Sequence, residues 1–260
     1  MRSCAPNGEP LSLLERTRSV DCTAQVCETV ARIGVAADEA EAIGLLRLTI
    51  ERLGADEATF TSFIRDDATL SSYRCLLACN PLWGAAYARH GWCADDPWLH
   101  HAMQSSDPIR TSDMAPDESR QRIVVEAAAE YGFRSAVIVP APSSAGQSRV
   151  GVLCIGSATA GYFDDDGFAY VKPLLRGLAM ELHDWWHQRL KRALIARAHI
   201  TDGDLALLRY EAHGHSSKVI AVALHTEAKT IDCRFQRLNG KLGVANRRDA
   251  VRLGKLYGLI

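Results

Sequence analysis

A short segment near the end of the chain combines cationic side chains with side chains that form directional hydrogen bonds. These residues are Lys229, Asp232, Arg234, Gln236, Arg237 and Lys241. Cationic side chains bind phosphate oxygens, whereas carboxylate and amide groups can form hydrogen bonds with base edges in the major groove of DNA. The solvated face of a structural helical bundle has the same composition. The surrounding residues decide between the two interpretations.

The apolar residues of this region recur at helical spacing. Steps of four, three and four residues separate Ile231, Phe235, Leu238 and Leu242. This spacing predicts an amphipathic helix. A shorter helix is predicted before the break at His225-Thr226, with Ser216 as its N-cap. The buried face of that shorter helix is predicted to contain Val219, Ile220, Ala223 and Leu224. Two helices joined by a turn in this order predict a helix-turn-helix that binds DNA.

Two further helices flank this pair. Gly214 suits the position just after a preceding helix, and Asn246-Arg247 comes before a closing helix. The flanking helices are predicted from Leu205, Leu208 and Ala212 and from Ala250, Val251 and Leu253. Four short helices in this order resemble the DNA-binding domain of the LuxR/FixJ class. The resemblance covers about residues 200 to 260 and includes Leu208, Gly214, Ile220-Ala221, Leu224, Thr230-Ile231, Lys241-Leu242-Gly243-Val244, Asn246-Arg247, Ala250 and Gly258-Leu259-Ile260. One departure is Asp204, where the family usually has Glu.

This resemblance, together with the helical spacing, gives a set of candidate DNA-binding residues. The set is Ser217, Lys218, Lys229, Thr230, Asp232, Arg234, Gln236 and Arg237. Asp232 and Gln236 are one helical turn apart on the polar side, so we predict that they face base edges. The residues predicted to contact phosphates are Lys218, Lys229, Arg234 and Arg237. A second interpretation of Asp232 is that it orients arginine side chains, because nearby phosphates repel a carboxylate.

The net charge differs between the two parts of the chain. Residues 198 to 260 contain ten Lys/Arg and six Asp/Glu, a net of +4, whereas residues 1 to 197 contain 20 and 25, a net of −5. A basic module beside an acidic remainder predicts one DNA-binding surface. Because a single small module binds DNA weakly, we expect a homodimer on double-stranded DNA with a dyad-symmetric operator. RNA polymerase is a further candidate partner.

The length and composition fit a globular protein with two domains. The chain has 260 residues, of which 47% are hydrophobic. No apolar run reaches the length of a membrane span, and the first residues do not resemble a secretory signal, so we expect a cytoplasmic protein without a membrane partner. The eight cysteines form no CxxC pair, which argues against a zinc module or a disulfide framework. A cysteine or serine hydrolase is disfavoured because the sequence has no GxSxG motif. We therefore expect no enzyme activity, no metal and no cofactor apart from a small-molecule ligand.

Helical and strand patterns alternate over the first 190 residues. Helices are predicted at about 37–53, from Pro116 to Tyr131 with Gly132 as the stop, and from about Asp165 to Leu190. Strands are predicted at 58–64, 135–140 and 150–155, the last two as a hairpin around the loop at 142–146. This order predicts an α+β chain in which an N-terminal α-β-α sandwich precedes the four-helix DNA-binding domain.

The middle of the chain contains the pattern Trp-x3-Tyr-x8-Asp-Pro, formed by Trp83, Tyr87, Asp96 and Pro97. It resembles the autoinducer-binding domain of LuxR-type quorum-sensing receptors. The resemblance covers about residues 30 to 185 and continues through Tyr131-Gly132-Phe133-Arg134-Ser135 and Val139-Pro140. Together with the C-terminal module, it implies a quorum-sensing transcriptional regulator.

The resemblance implies how an acyl-homoserine lactone is bound. The Trp83 indole N–H would donate to the lactone carbonyl, the Asp96 carboxylate would accept the amide N–H, and Tyr87 would line the acyl chain. A structural alternative exists for Asp96, because Asp96-Pro97 is also a typical start for a helix predicted over Trp98 to Met103.

Four positions depart from the family pattern, and we keep them as candidate ligand-binding residues. Cys79 stands where the family usually has Tyr, Thr111 where it has a second Trp, Ala136 where it has Gly, and Cys154 where it often has Ser or Thr. Each change removes a polar partner or alters the volume of the site. The alternatives to a typical lactone are therefore an atypical acyl chain, a non-lactone ligand, or action without a ligand.

These inferences give a domain plan. The ligand-binding domain is predicted at residues 1–187, with its core at about 30–185. A linker is predicted at 188–199, and the helix-turn-helix domain at 200–260.

Overall fold

The computed structural model describes residues 11–65, 71–115 and 119–260. The described residues form two compact units, one ending at Trp185 and the other spanning Trp186–Ile260. Pro116, which was predicted to begin a helix, lies outside the described residues. Among the described residues, no helix is both long and apolar enough to cross a membrane.

The first unit combines helices with an antiparallel sheet. Its helices are α1 (Leu13–Arg18), α2 (Val20–Ile33), α3 (Glu39–Arg52), α4 (Pro81–His90), α5 (Pro97–Gln104), α6 (Ser119–Glu130) and α7 (Gly167–Arg197), the last of which continues into the second unit. Its strands are β1 (Glu57–Arg65), β2 (Ser71–Ala78), β3 (Ile109–Arg110), β4 (Ser135–Pro142) and β5 (Arg149–Ser157). Within the described residues, the sheet order is β2-β1-β5-β4-β3.

Helices cover both faces of the sheet. Alternate residues of each strand point to opposite faces, so each strand contributes side chains to both layers of packing. Phe63 lies on one face, where it shares an apolar cluster with Trp83 of α4, Trp98 of α5 and Val124 of α6. The other face is approached by α7. A Cβ atom on Gly151 of β5 would lie 2.8 Å from Nδ1 of His183 in α7, so glycine is what allows this close approach. The predicted α-β-α sandwich is confirmed.

Several predicted elements are present with small shifts at their ends. The helix predicted at 37–53 is α3, the strand predicted at 58–64 is β1, and β4 and β5 form an antiparallel pair. The long helix was predicted to end near Leu190, which is wrong, because α7 continues to Arg197. Residues 188–197 contain helix-forming residues and neither Gly nor Pro, so nothing in them ends the helix. Strand β2 was not predicted.

The second unit contains α8 (Asp202–Ala212), α9 (Ser217–Ala223), α10 (Ala228–Leu242) and α11 (Arg247–Leu256). Ser216 caps α9 by accepting a hydrogen bond from the Val219 amide, and Gly214 adopts a left-handed conformation with φ of 76°. The apolar stripe predicted for α10 is buried, and its members are Ile231, Phe235, Leu238 and Leu242. The predicted four-helix order is confirmed.

The predicted buried face of α9 was partly wrong. Ile220 and Ala221 are buried, but Val219 is 50% exposed and Ala223 is also exposed. A helix of seven residues has two turns, so its apolar spacing does not fix which side faces the core.

Candidate ligand-binding and DNA-binding sites

A cavity of about 360 Å³ lies in the first unit between the sheet and the helices α4 and α5. This volume falls in the range of small-molecule sites. The cavity is lined by Thr59, Thr61, Tyr73, Cys75, Leu77, Trp83, Gly84, Tyr87, Ala88, Gly91, Cys93, Asp96, Trp98, Leu99, Val152 and Cys154. Its walls are mostly apolar, with a small number of polar groups.

Helix α4 carries two of the aromatic residues in this wall. Asn80 caps the helix by accepting a hydrogen bond from the Leu82 amide at 3.0 Å. Trp83 and Tyr87 are one turn apart, so their side chains lie on the same side of the helix, with ring centroids 5.6 Å apart. The ring of Trp83 also lies within 5.6 to 5.9 Å of the rings of Trp92, Tyr131 and Phe133. Among the residues that the structure describes, none accepts a hydrogen bond from the Trp83 indole N–H.

Asp96 forms a polar point in the cavity wall and also caps α5. Its Oδ1 accepts hydrogen bonds from the Trp98 and Leu99 amides at 2.8 and 3.4 Å. Its Oδ2 accepts a hydrogen bond from the Tyr87 hydroxyl at 2.6 Å. The side chain is therefore held in one position by α4 and α5 together. The capping interpretation of Asp96 is confirmed, and the same carboxylate lines the cavity.

Burial raises the pKa of the Asp96 carboxyl above its ordinary value. Hydrogen bonds from Tyr87 and from the amides of Trp98 and Leu99 act in the opposite direction, because they stabilise the charged form. Burial, together with the negative charge of Asp96, raises the pKa of the Tyr87 hydroxyl well above its usual range. Tyr87 therefore stays a hydrogen-bond donor at neutral pH.

The structure brings four of the seven predicted ligand-binding residues to the cavity. They are Trp83, Tyr87, Asp96 and Cys154. Cys79 and Ala136 are buried in the apolar cluster that contains Trp83, but they do not line the cavity. They pack against the aromatic wall of the cavity, and their predicted contact with ligand stays a prediction.

Thr111 also lies outside the cavity wall. Its hydroxyl accepts a hydrogen bond from the Ala136 amide at 3.1 Å and is 3.3 Å from the Ala136 carbonyl oxygen, to which it donates. Thr111 thus bonds both backbone groups of one residue in β4. In this chain, Thr111 begins a 3₁₀ turn after β3 and bonds that turn to β4.

Sequence reasoning missed the strand residues that form one side of the cavity. They are Thr59 and Thr61 of β1, Tyr73, Cys75 and Leu77 of β2, and Val152 of β5. Pairing of β1 with β2 places Thr61 opposite Cys75, whose Sγ lies 3.4 Å from the Thr61 hydroxyl. The signal that could have found the β2 residues is their spacing of two, which puts them on one face of a strand.

Most of the predicted DNA-binding side chains are exposed on α9 and α10. The exposed members are Lys218, Lys229, Asp232, Arg234, Gln236 and Arg237, whereas Ser217 and Thr230 are half-buried. Among the predicted DNA-binding residues of α10, the helical period puts Lys229, Gln236 and Arg237 farthest from the buried stripe. Cys233, which sequence reasoning did not include, is exposed within the same outward surface.

Two polar residues of α10 instead bind neighbouring helices. The Lys241 Nζ lies 2.6 Å from Asp204 Oδ2 of α8, and Asp232 contacts both Ser217 and Arg247. The contacts of Asp232 match the second interpretation of that residue, in which it orients an arginine. Lys241 was assigned to the polar face available for DNA, and its ion pair to α8 gives it a structural role.

The departure at Asp204 retains a working cap. Thr201 and Asp204 form a reciprocal capping box at the start of α8. Burial would raise the pKa of the Asp204 carboxyl, but hydrogen bonds from Lys241 and Thr201 outweigh it and hold the pKa below its ordinary value. The shorter side chain therefore preserves both the cap and an ion pair.

We expect Lys241→Met to lower the free energy of unfolding by less than about 1 kcal/mol at neutral pH, because the ion pair is partly exposed. A lowered carboxyl pKa stabilises the fold above the unfolded-state value and loses this effect as the pH falls through the folded-state value. Chemical denaturation of the full-length protein should therefore show a difference at pH 7 that shrinks below about pH 4. Lys255→Met, which removes an exposed lysine, is the control. A Lys241→Met difference that persists unchanged in acid would contradict the role of Asp204.

Two protein families match the sequence. Residues 38–185, more than half of the chain, match the autoinducer binding domain. Residues 199–253 match the family described as bacterial regulatory proteins, luxR family. Each match falls on the part of the chain in which the corresponding site was found.

Individual relatives agree with these families. The transcriptional activator protein VanR of Vibrio anguillarum is 24% identical over 179 residues, which cover 68% of this chain and 73% of VanR. The crystal structure of Escherichia coli SdiA has a TM-score of 0.71 at 17% identity, covering 92% of this chain and 98% of SdiA. SdiA in complex with octanoyl-rac-glycerol has a TM-score of 0.70 at 17% identity and covers 93% and 98%. At these identities, the solved structures show a shared fold.

The chain belongs to the LuxR family and is a LuxR-type autoinducer-binding transcriptional regulator. Both resemblances seen in the sequence are confirmed.

Proposed function

We propose that this regulator binds an acyl-homoserine lactone in the cavity beside Trp83 and Asp96, and that it binds a dyad-symmetric DNA operator as a homodimer. The proposal concerns the identity of the ligand and the state of assembly.

The main support for the ligand proposal is that the cavity contains a fixed hydrogen-bond acceptor, the Asp96 carboxylate, and an available donor, the Trp83 indole N–H. Asp96 is 7% exposed, and its carboxylate is oriented by Tyr87 and by the start of α5. Trp83 offers an indole N–H that is not bonded to any described residue. An acyl-homoserine lactone supplies the complementary groups, because its amide N–H needs an acceptor and its lactone carbonyl needs a donor.

The remaining walls suit an acyl chain. Leu77, Leu99 and Val152 line the cavity with aliphatic surface, and burial of each methylene group contributes about 0.8 kcal/mol. The polar groups would thus fix the head of the ligand, while the apolar walls favour its tail.

A non-lactone ligand is the second candidate. Cys79, which replaces the usual tyrosine, and Thr111, which replaces a tryptophan, both lie outside the cavity wall. The fold is shared with SdiA, whose complex contains octanoyl-rac-glycerol, an acyl chain on a head group that is not a lactone. A ligand with an acyl chain and a different head group would therefore use the same apolar walls. Action without any ligand is the remaining alternative.

Mass spectrometry of bound lipophilic compounds distinguishes these candidates. The full-length protein would be purified from a host supplied with a mixture of acyl-homoserine lactones of different chain length, and then extracted. Recovery of one lactone in near-stoichiometric amount supports the proposal. Recovery of a different acylated compound supports the second candidate, and an empty extract supports action without ligand.

We expect the cognate lactone to raise the stability of the first unit. A ligand that binds only the folded state contributes about 2.7 kcal/mol when its concentration is a hundred times the dissociation constant. Thermal melting of the full-length protein with and without each lactone measures this effect, and the free acid of the same acyl chain is the control. Melting temperatures that respond to no lactone would contradict the lactone proposal.

The proposal of a dimer rests on the size of the DNA-binding unit. The single helix α10 presents one reading surface, and paired half-sites supply the affinity that one module lacks. Sedimentation of the protein with a selected duplex would give two chains per duplex if the proposal is correct. One chain per duplex would exclude it.

A further inference from the structure

Arg247, the first residue of α11, connects several helices of the DNA-binding unit. Its guanidinium carbon lies 4.0 Å from the centre of the Phe235 ring of α10. Its Nη2 donates to Asp232 Oδ1 at 2.5 Å, and its Nη1 donates to the Ser217 hydroxyl of α9 at 2.9 Å. Nη1 is also 3.7 Å from a carboxylate oxygen of Glu211 in α8. One side chain therefore contacts all three other helices.

The most consequential of these partners is Asp232. Its side chain is 54% exposed on the helix predicted to read DNA. Hydrogen bonds from Ser217 and Arg247 lower the pKa of its carboxyl, so it is ionised at neutral pH. An unpaired carboxylate at this surface would be repelled by phosphates. The Arg247 guanidinium forms a directional, charge-assisted hydrogen bond with this carboxylate. The bond fixes the position of the Asp232 side chain, and the positive charge of Arg247 offsets its negative charge.

We propose that Arg247 is a positioning residue for DNA recognition, which acts by holding the Asp232 carboxylate against α9 and away from the phosphates. This inference rests on the proposed DNA binding. In this arrangement, Arg247 does not itself contact DNA, and Asp232 does not read a base. The outward residues of α10 are then free to approach the duplex without a competing negative charge.

The test compares the same substitution in two backgrounds. Arg247→Met keeps an apolar side chain over Phe235 but removes the hydrogen bonds and the charge. It would be made in the natural sequence and in an Asp232→Asn background. Arg248→Met is the matched control, because Arg248 is exposed and its side chain forms no hydrogen bond or ion pair with any described residue. The probes are a duplex selected by the unmodified full-length protein from a randomised pool, and a scrambled duplex.

We expect Arg247→Met to weaken binding to the selected duplex about tenfold, as the carboxylate is released. In the Asp232→Asn background, we expect the same change to cost less than about threefold, since no carboxylate remains to be held. Asp232→Asn alone should retain its preference for the selected duplex. Neither result follows from a structural role in which Arg247 only packs on Phe235, because that role would cost the same in both backgrounds.

Two outcomes would overturn the inference. An equal loss in both backgrounds, with a salt dependence flatter by about one unit, would show that Arg247 contacts a phosphate directly. A selective loss of the selected duplex in Asp232→Asn would show that Asp232 reads a base. If circular dichroism shows that Arg247→Met is unfolded, Arg247→Lys replaces it in the same comparison, because lysine keeps the charge without the paired donors. If the unmodified protein selected no duplex, that result would instead count against the proposed DNA binding, on which the inference about Arg247 rests.

Discussion

Asp96→Asn is expected to weaken binding of the cognate lactone by about 1.5 to 3 kcal/mol, or roughly ten- to 150-fold. The substitution replaces a charged acceptor with an amide whose NH₂ group cannot accept the ligand N–H. Its remaining oxygen can still receive the Trp98 amide, since Asn is as good an N-cap as Asp. The loss should therefore appear in ligand binding, measured by calorimetry, rather than in folding.

The neighbouring carboxylate provides the control for this experiment. Asp95 does not line the cavity, and its carboxylate lies 3.9 Å from a guanidinium nitrogen of Arg120. Asp95→Asn removes the same charge one residue away and should leave lactone affinity unchanged. An unchanged affinity in a soluble Asp96→Asn protein would show that Asp96 serves only as the cap of α5. Equal losses in both variants would indicate a general effect of charge.

The part of the cavity formed by one continuous segment was predictable from sequence. Trp83, Tyr87 and Asp96 lie within fourteen positions, so their spacing can be recognised without knowing the fold. The opposite wall depends on β2, which pairs with β1 and contributes Tyr73 and Cys75. Leu76 is buried on the face of β2 opposite the cavity, so apolar residues fall on both faces of the strand and obscure the alternation that predicts a strand. When strand pairing brings residues together, their spacing along the sequence does not reveal that they are neighbours.

In the second unit, too, local spacing predicted the buried residues but not the contacts between helices. The buried stripe of α10 was predictable because four apolar residues repeat over a long helix. The partners of its polar residues were not, because Lys241 bonds Asp204, which lies 37 positions away, and Asp232 bonds Arg247, which lies 15 positions away. A helical wheel separates apolar from polar faces. It does not distinguish a polar residue that faces solvent from one that contacts another helix.

The clearest test of DNA recognition compares two adjacent exposed residues of α10. Gln236→Ala is expected to cost about 1 to 3 kcal/mol on a selected duplex, because a glutamine side chain can form two hydrogen bonds with an adenine edge. The cost should be much smaller on a scrambled duplex, and the preferred base at one position should relax. Neither Gln236 nor Arg237 has a side-chain partner among the described residues, so neither substitution removes a structural contact that the structure shows.

Arg237→Ala should have a different effect, because a phosphate contact carries no sequence information. We expect weaker binding to selected and scrambled duplexes alike, and a plot of log affinity against log salt concentration that is flatter by about one unit. Titrations of both duplexes at several salt concentrations would separate the two roles. If Gln236→Ala and Arg237→Ala lost affinity equally on both duplexes, the orientation of α10 in the groove inferred from its buried stripe would be wrong. If only Arg237→Ala relaxed the base preference, the reading residue would lie one position further along the helix.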